Sequence, residues 1–166
     1  MKQVLFLLFA VCAQAVHGQS LYVNWADSAA RNIEKREISY GADSSYKEFG
    51  SDSIVRKAIN VKFMYADSRG KKLLMVDELK STSTDTTGIV YYFKDKELIK
   101  VCASIRSKNK TITQSFYFKN NRLIFPSMYY GNLFEVDDYV ERSKKYLRFK
   151  SKGLYSNFIY DVQPDR

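Results

Sequence analysis

The sequence predicts an α+β domain: an antiparallel β-meander of about six to seven strands, with an N-terminal and a C-terminal helix packed on it. Three observations carry this prediction. The apolar period changes from 3.6 residues to two near Lys57, and returns to 3.6 near Asn132. The stretch YYFKDKELIK at 91–100 recurs as FYFKNNRLIF at 116–125. Each copy is split at its centre by a turn-forming pair, Asp95-Lys96 and Asn120-Asn121, which suits a two-residue hairpin loop. A small barrel-like closure of the same strands is the alternative.

The first eighteen residues, MKQVLFLLFAVCAQAVHG, have the form of a secretory signal peptide. Lys2 precedes an apolar run from Val4 to Ala13, and Ala13 and Ala15 form an A-x-A site. Cleavage is expected after Ala15 or after Gly18. The run is shorter than the ~20 residues of a spanning helix. Lipid anchoring at Cys12 is disfavoured, because Val11 stands where acylation wants a small residue. The mature chain, 19–166, is then a single domain without a transmembrane span, exported to the periplasm or the medium.

That segment holds the only histidine, His17, and one of the two cysteines. Without histidine the mature chain has no Ser-His-Asp or Cys-His catalysis and no His-ligated metal. Cys102, left alone, has no disulfide partner, so stability must come from a packed core. The 13 Tyr and 11 Phe supply the side chains for one.

From the start of the mature chain, Ala29, Ala30 and Ile33 form a weak apolar stripe. It predicts a helix over 26–38, with Asp27 or Ser28 as its cap. GADSSYKEFGSDS reads as a loop. Ile59, Val61, Phe63 and Tyr65 then alternate, DSRG turns, and KKLLMVDEL returns, giving a hairpin near 59–79.

The doubled stretch gives two more hairpins, near 88–106 and 111–128. A two-residue loop in each pairs Lys94 with Glu97, Phe93 with Leu98, Tyr92 with Ile99 and Val90 with Val101. In the second copy it pairs Lys119 with Arg122, Phe118 with Leu123 and Tyr117 with Ile124. Unbroken alternation puts Val90, Tyr92, Ile99, Val101, Ala103 and Ile105 on one apolar face. Ile89, Tyr91, Phe93, Leu98, Lys100 and Cys102 fall on a mixed one. Pro126 marks the end of pairing.

Beyond it, Leu133, Val136, Val140 and Leu147 follow a helical period, with Asn132 as cap and Gly153 as terminator. Early acids and late bases complement the helix dipole. LYSNFIYDV reads as a last strand.

The paired Y-Y-F-K-x-x-x-L-I hairpins resemble those of uncharacterised small exported bacterial proteins. They are also weakly similar to degenerate MORN-type hairpin repeats, though both turns here lack the Gly of those units. The resemblance covers about 88–128. It implies a sheet-and-helix domain and brings no catalytic residues.

Candidate chemistries are few. Asp77 and Glu78 are adjacent on a strand and so point to opposite faces, which prevents direct cooperation. Glu135, Asp137 and Asp138 sit at a helix start, where the dipole already explains them. Lys100 is the only local base for Cys102, and a half-buried structural cysteine is the simpler reading. No phosphate or calcium loop is visible, and no cofactor is expected.

The basic residues are the remaining feature, in a chain of formal net charge +9. Lys144, Arg148 and Lys152 share a helix face, and Arg106, Lys108 and Lys110 form a basic hairpin tip. The function expected is therefore an exported, non-enzymatic binding or interaction module of the bacterial cell envelope. Its partner would be an anionic surface or polymer, or another envelope protein, and not a specific nucleic acid. The alternatives are a barrel-like carrier of a small apolar ligand, lined by residues such as Val101 and Ile124, and a histidine-free hydrolase acting on envelope polymer.

Overall fold

A computed structural model describes residues 2–35, 40–49, 55–67, 69–108, 110–126, 136–149 and 155–156. In chain order these form α1 (Lys2–Glu34), β1 (Tyr40–Phe49), β2 (Val55–Tyr65), β3 (Leu73–Thr82), β4 (Asp85–Lys94), β5 (Glu97–Ser107), β6 (Lys110–Lys119), β7 (Arg122–Phe125), α2 (Val136–Arg148) and β8 (Tyr155–Ser156). The first seven strands make an antiparallel meander, each pairing with the next, and β8 adds to β1. The strand order, β7-β6-β5-β4-β3-β2-β1-β8, leaves two edges, so the sheet is open. The barrel-like closure is not adopted.

Each face of the sheet carries one helix. On one side Ala30 and Ile33 of α1 pack on Met64, Leu74, Met75, Tyr92 and Ile99. On the other, Val136 and Tyr139 of α2 pack on a larger cluster that includes Tyr91, Phe93, Val101, Phe116 and Phe118, all fully buried. Aromatic edges meet faces there: Tyr91 with Tyr139 at 6.0 Å and with Tyr146 at 5.2 Å. A core of this kind holds the described residues together without a disulfide at Cys102.

Turn chemistry acts as the sequence requires. Asp95, Lys96, Asn120 and Asn121 all have positive φ, between 51° and 67°, as a type I′ turn demands. Asn tolerates this backbone well and Lys poorly. In the β2–β3 hairpin, Asp67 Oδ1 accepts the backbone N–H groups of Arg69 (3.0 Å) and Lys71 (3.1 Å), and Gly70 takes φ 64°.

The expected pairing fails at one step in each hairpin, and at the same step. Phe93 faces Leu98 and Lys94 faces Glu97 as counted, but Tyr92 faces Lys100 and Val90 faces Cys102. Phe118 faces Leu123, yet Tyr117 faces Phe125. Tyr65 faces Leu73, and Met64 faces Met75. One residue near the start of each returning strand, Leu74, Ile99 or Ile124, is therefore an extra one, a β-bulge. Bulged residues double up on one face. Ile99, Lys100 and Cys102 consequently lie with Tyr92 on the α1 side, whereas Leu98, Val101 and Ala103 lie with Tyr91 and Phe93 on the α2 side. The expected faces hold for Val90, Tyr92 and Ile99 and for Ile89, Tyr91, Phe93 and Leu98, and are exchanged from Lys100 onward, because a slip of one residue exchanges the two faces.

Two further expectations change. Residues 41–49, expected in a loop, form β1 together with Tyr40, paired with β2 from Tyr40↔Tyr65 to Phe49↔Val55. Their Gly, Ser and Asp content is poor for a strand, and pairing with a neighbour overrides it. Helix α1 does not start at 26; it is continuous from Lys2, so Asp27 and Ser28 lie within it and cap nothing. Asn132, Leu133 and Gly153 lie outside the described residues. Of LYSNFIYDV only Tyr155–Ser156 is described, as β8. Pairing of β7 stops at Phe125, beside Pro126.

Candidate functional site

Three polar clusters stand out, two under helices and one at a hairpin tip. The first centres on Glu78. Alternation sends Asp77 and Glu78 to opposite faces, as expected, and Glu78 falls beneath α2 with 2% of its surface exposed. A bare carboxylate there would be costly, and four groups satisfy it. Oε1 meets Lys80 Nζ at 2.9 Å and Arg142 Nη1 at 3.1 Å. Oε2 accepts the hydroxyls of Tyr91, at 3.4 Å, and Tyr146, in a short contact. Arg142 spans to Asp138, its i−4 neighbour, at 2.6 Å.

Burial pushes the hydroxyls of Tyr91 and Tyr146 up, and the Glu78 carboxylate adds to both. Burial alone would lower the Arg142 guanidinium, but the Asp138 hydrogen bond and the surrounding negative charge raise it instead. Tyr91 and Tyr146 therefore stay protonated and Arg142 charged at neutral pH. The cluster clamps α2 to the centre of the sheet through ion pairs and hydrogen bonds.

The second cluster joins α1 to the other face. Asp27 Oδ1 takes Lys100 Nζ at 2.8 Å and the Tyr117 hydroxyl at 2.8 Å. Tyr92 donates to Glu34 in a short contact. Lys100 lies over the rings of Tyr92 (5.8 Å) and Tyr117 (5.7 Å), both within cation–π reach. Partial burial works to raise the Asp27 carboxyl, but the bonds from Lys100 and Tyr117 hold it below the usual carboxylate range. Burial and the Asp27 bond push Tyr117 up to about 12. Lys100 is thus taken by Asp27 and is not aimed at Cys102, whose sulfur sits 3.4 Å from Ser115 Oγ.

The sequence pointed to neither cluster as a site. Glu78 was visible as one acid of a pair, but its burial depends on α2, which is more than fifty positions later in the chain. Asp27 was read as a cap, and its partner Lys100 reaches α1 only because of the Ile99 bulge.

The basic residues nominated from sequence divide. Arg106, Lys108 and Lys110 are exposed at the β5–β6 tip. Register places Arg106 opposite Thr111 and Lys110 opposite Ser107, so the two cations emerge on opposite faces, with Lys108 at the turn between them. Among the described residues none of the three forms a salt bridge. Lys144, in contrast, pairs with Glu141 at 2.7 Å. Arg148 is exposed in the last turn of α2. Lys152 lies outside the described residues, as does Glu135.

Among the described residues no group of three His, Cys, Asp or Glu side chains could hold a metal ion. No described helix is long and apolar enough to cross a membrane. No family model, curated protein or solved structure matches the chain.

Proposed function

We propose that this protein is an exported, non-enzymatic binding module of the bacterial cell envelope, and that its partner is an anionic surface or polymer. One observation carries the reading. The β5–β6 tip presents Arg106, Lys108 and Lys110 to solvent without an ion-pair partner among the described residues. Four other cations of the domain are committed: Arg142 and Lys80 to Glu78, Lys100 to Asp27, Lys144 to Glu141. A cation left uncompensated on a stiff hairpin keeps its charge available to a ligand.

The buried acids favour a binding role over a hydrolytic one. Glu78 has both oxygens turned to cations and tyrosines, and Asp27 Oδ1 is held by Lys100 and the Tyr117 hydroxyl. The carrier reading lacks its container, because the sheet is open and Val101 is fully buried in the α2-side core. The resemblance to exported bacterial proteins with paired hairpins supports the envelope setting.

Retention on immobilised heparin, eluted with salt, tests the proposal. The wild-type chain should be retained and released as screening shortens the reach of its charges. Replacing Arg106, Lys108 and Lys110 together with Ser should lower the eluting salt markedly. Wild-type flow-through, or unchanged retention of the triple variant, would refute it.

A further inference from the structure

At the other end of β5 and β6 from that tip, α1 crosses the sheet beside the two type I′ turns. Among the described residues five large apolar side chains are exposed, Leu79, Phe125, Phe149, and two on α1, Leu21 (57%) and Trp25 (40%). They are one helical turn apart and share a face of α1. Tyr22, between them, leans the other way and donates its hydroxyl to the Phe118 carbonyl at 2.5 Å. The Trp25 ring meets that of Tyr22 at a tilt of 43°, 5.1 Å between ring centres.

Two lysines from the turn ends border this patch. Lys94 Nζ lies 4.6 Å from the Trp25 ring, and Lys119 Nζ lies 5.6 Å from the Tyr22 ring. The same two turns carry Lys96 and Arg122, against the acids Asp95 and Glu97. The cations therefore exceed the acids around the exposed leucine and tryptophan.

An exposed Leu-Trp pair ringed by lysines has the chemistry of an interfacial contact. Indole suits the boundary between hydrocarbon and water, and lysines with long apolar stems reach headgroup phosphates from there. A soluble polyanion would engage the lysines but gain nothing from Leu21 and Trp25. A purely apolar partner would gain nothing from Lys94 and Lys119. A bilayer surface with anionic headgroups uses both.

We infer that the turn end of the domain, through Leu21, Trp25, Lys94 and Lys119, is a docking surface for an anionic lipid bilayer. This goes beyond the Arg106–Lys110 tip, which lies at the opposite end of its hairpin.

Trp25 is the only tryptophan in the chain, so its fluorescence reports this patch alone. The full chain is mixed with vesicles of phosphatidylglycerol and phosphatidylcholine, and with vesicles of phosphatidylcholine only. The anionic vesicles should shift Trp25 emission to shorter wavelength, and brominated lipid should quench it. Leu21→Ser should weaken vesicle affinity about tenfold, the scale of one leucine transferred out of water. Lys94→Glu with Lys119→Glu should abolish the preference for anionic vesicles while leaving heparin retention by the Arg106–Lys110 tip intact.

If the chain co-floats with vesicles but Trp25 emission neither shifts nor is quenched, another surface binds and the inference is overturned. Absence of co-flotation overturns it as well, and leaves the tip reading to stand or fall on heparin. An unshifted, heparin-retained protein would thus separate the two proposals.

Discussion

Arg142 Nη1 lies 3.1 Å from Glu78 Oε1, across the interface between α2 and the middle of the sheet. The geometry ties the helix to β3 through a carboxylate that has left water almost entirely. Breaking such a pair from one side strands the other charge. Glu78→Ala should therefore destabilise the domain by about 3–5 kcal/mol in denaturant unfolding. Replacing Glu78 and Arg142 together with Leu and Met should cost much less, because no buried charge remains. Equal losses in the single and double variants would show that the ion pair does not govern the interface.

Tyr117 gives a pH dependence with a definite sign. Its hydroxyl titrates at about 12 in the folded protein, above the value near 10 of an exposed tyrosine. The folded state thus binds more protons than the unfolded state between these values, and stability falls as pH rises through that window. The contribution is fully present below about pH 10. Tyr117→Phe should lose the Asp27 bond and flatten the decline above pH 10, as read from unfolding midpoints. An unchanged alkaline slope would count against the assignment.

Asp27 acts in the opposite sense. Its depressed carboxyl contributes stability above the usual carboxylate range, and this is lost as pH falls through its lowered folded-state value. Asp27→Asn should make α1 docking insensitive to acid. The fluorescence of Trp25, two residues before it on the helix, offers the readout.

The two repeated turns differ in fitness for the same backbone. Lys96 holds φ 67°, a conformation costing about 1–2 kcal/mol for a residue with a side chain. Converting Asp95-Lys96 to Asn-Gly should raise stability by about 1 kcal/mol. Asn120→Ala and Asn121→Ala should lower it by a similar amount. A thermal melt of the three variants would rank them.

The Ile99 bulge can be tested by deletion. Ile99→Ala removes buried side-chain volume and should cost about 2–5 kcal/mol. Deleting Ile99 should cost about as much, because Leu98, Lys100 and Val101 would then alternate regularly and keep Phe93, Tyr92 and Tyr91 as partners. A far larger loss on deletion would show that Ile99 is not the extra residue.

The strand pattern was legible because side chains alternate with a period that sequence displays directly, and the Asn-Asn turn because few residues accept positive φ. Both hairpins and the flanking helices follow from those local rules. The missed strand β1 shows their limit. Tyr40–Phe49 has no alternation or β-branched residues to announce it, and it forms because β2 offers an edge.

The amino-acid sequence by itself determined the meander, its turn types, the two helical segments and the lack of histidine chemistry after the first eighteen residues. Tertiary structure decided which residues share a face. A bulge adds one residue without changing composition or period on either side of it, so nothing in YYFKDKELIK marks Ile99 as extra. That one residue sends Lys100 to Asp27 and Val101 to the core, and with them the two faces of the sheet.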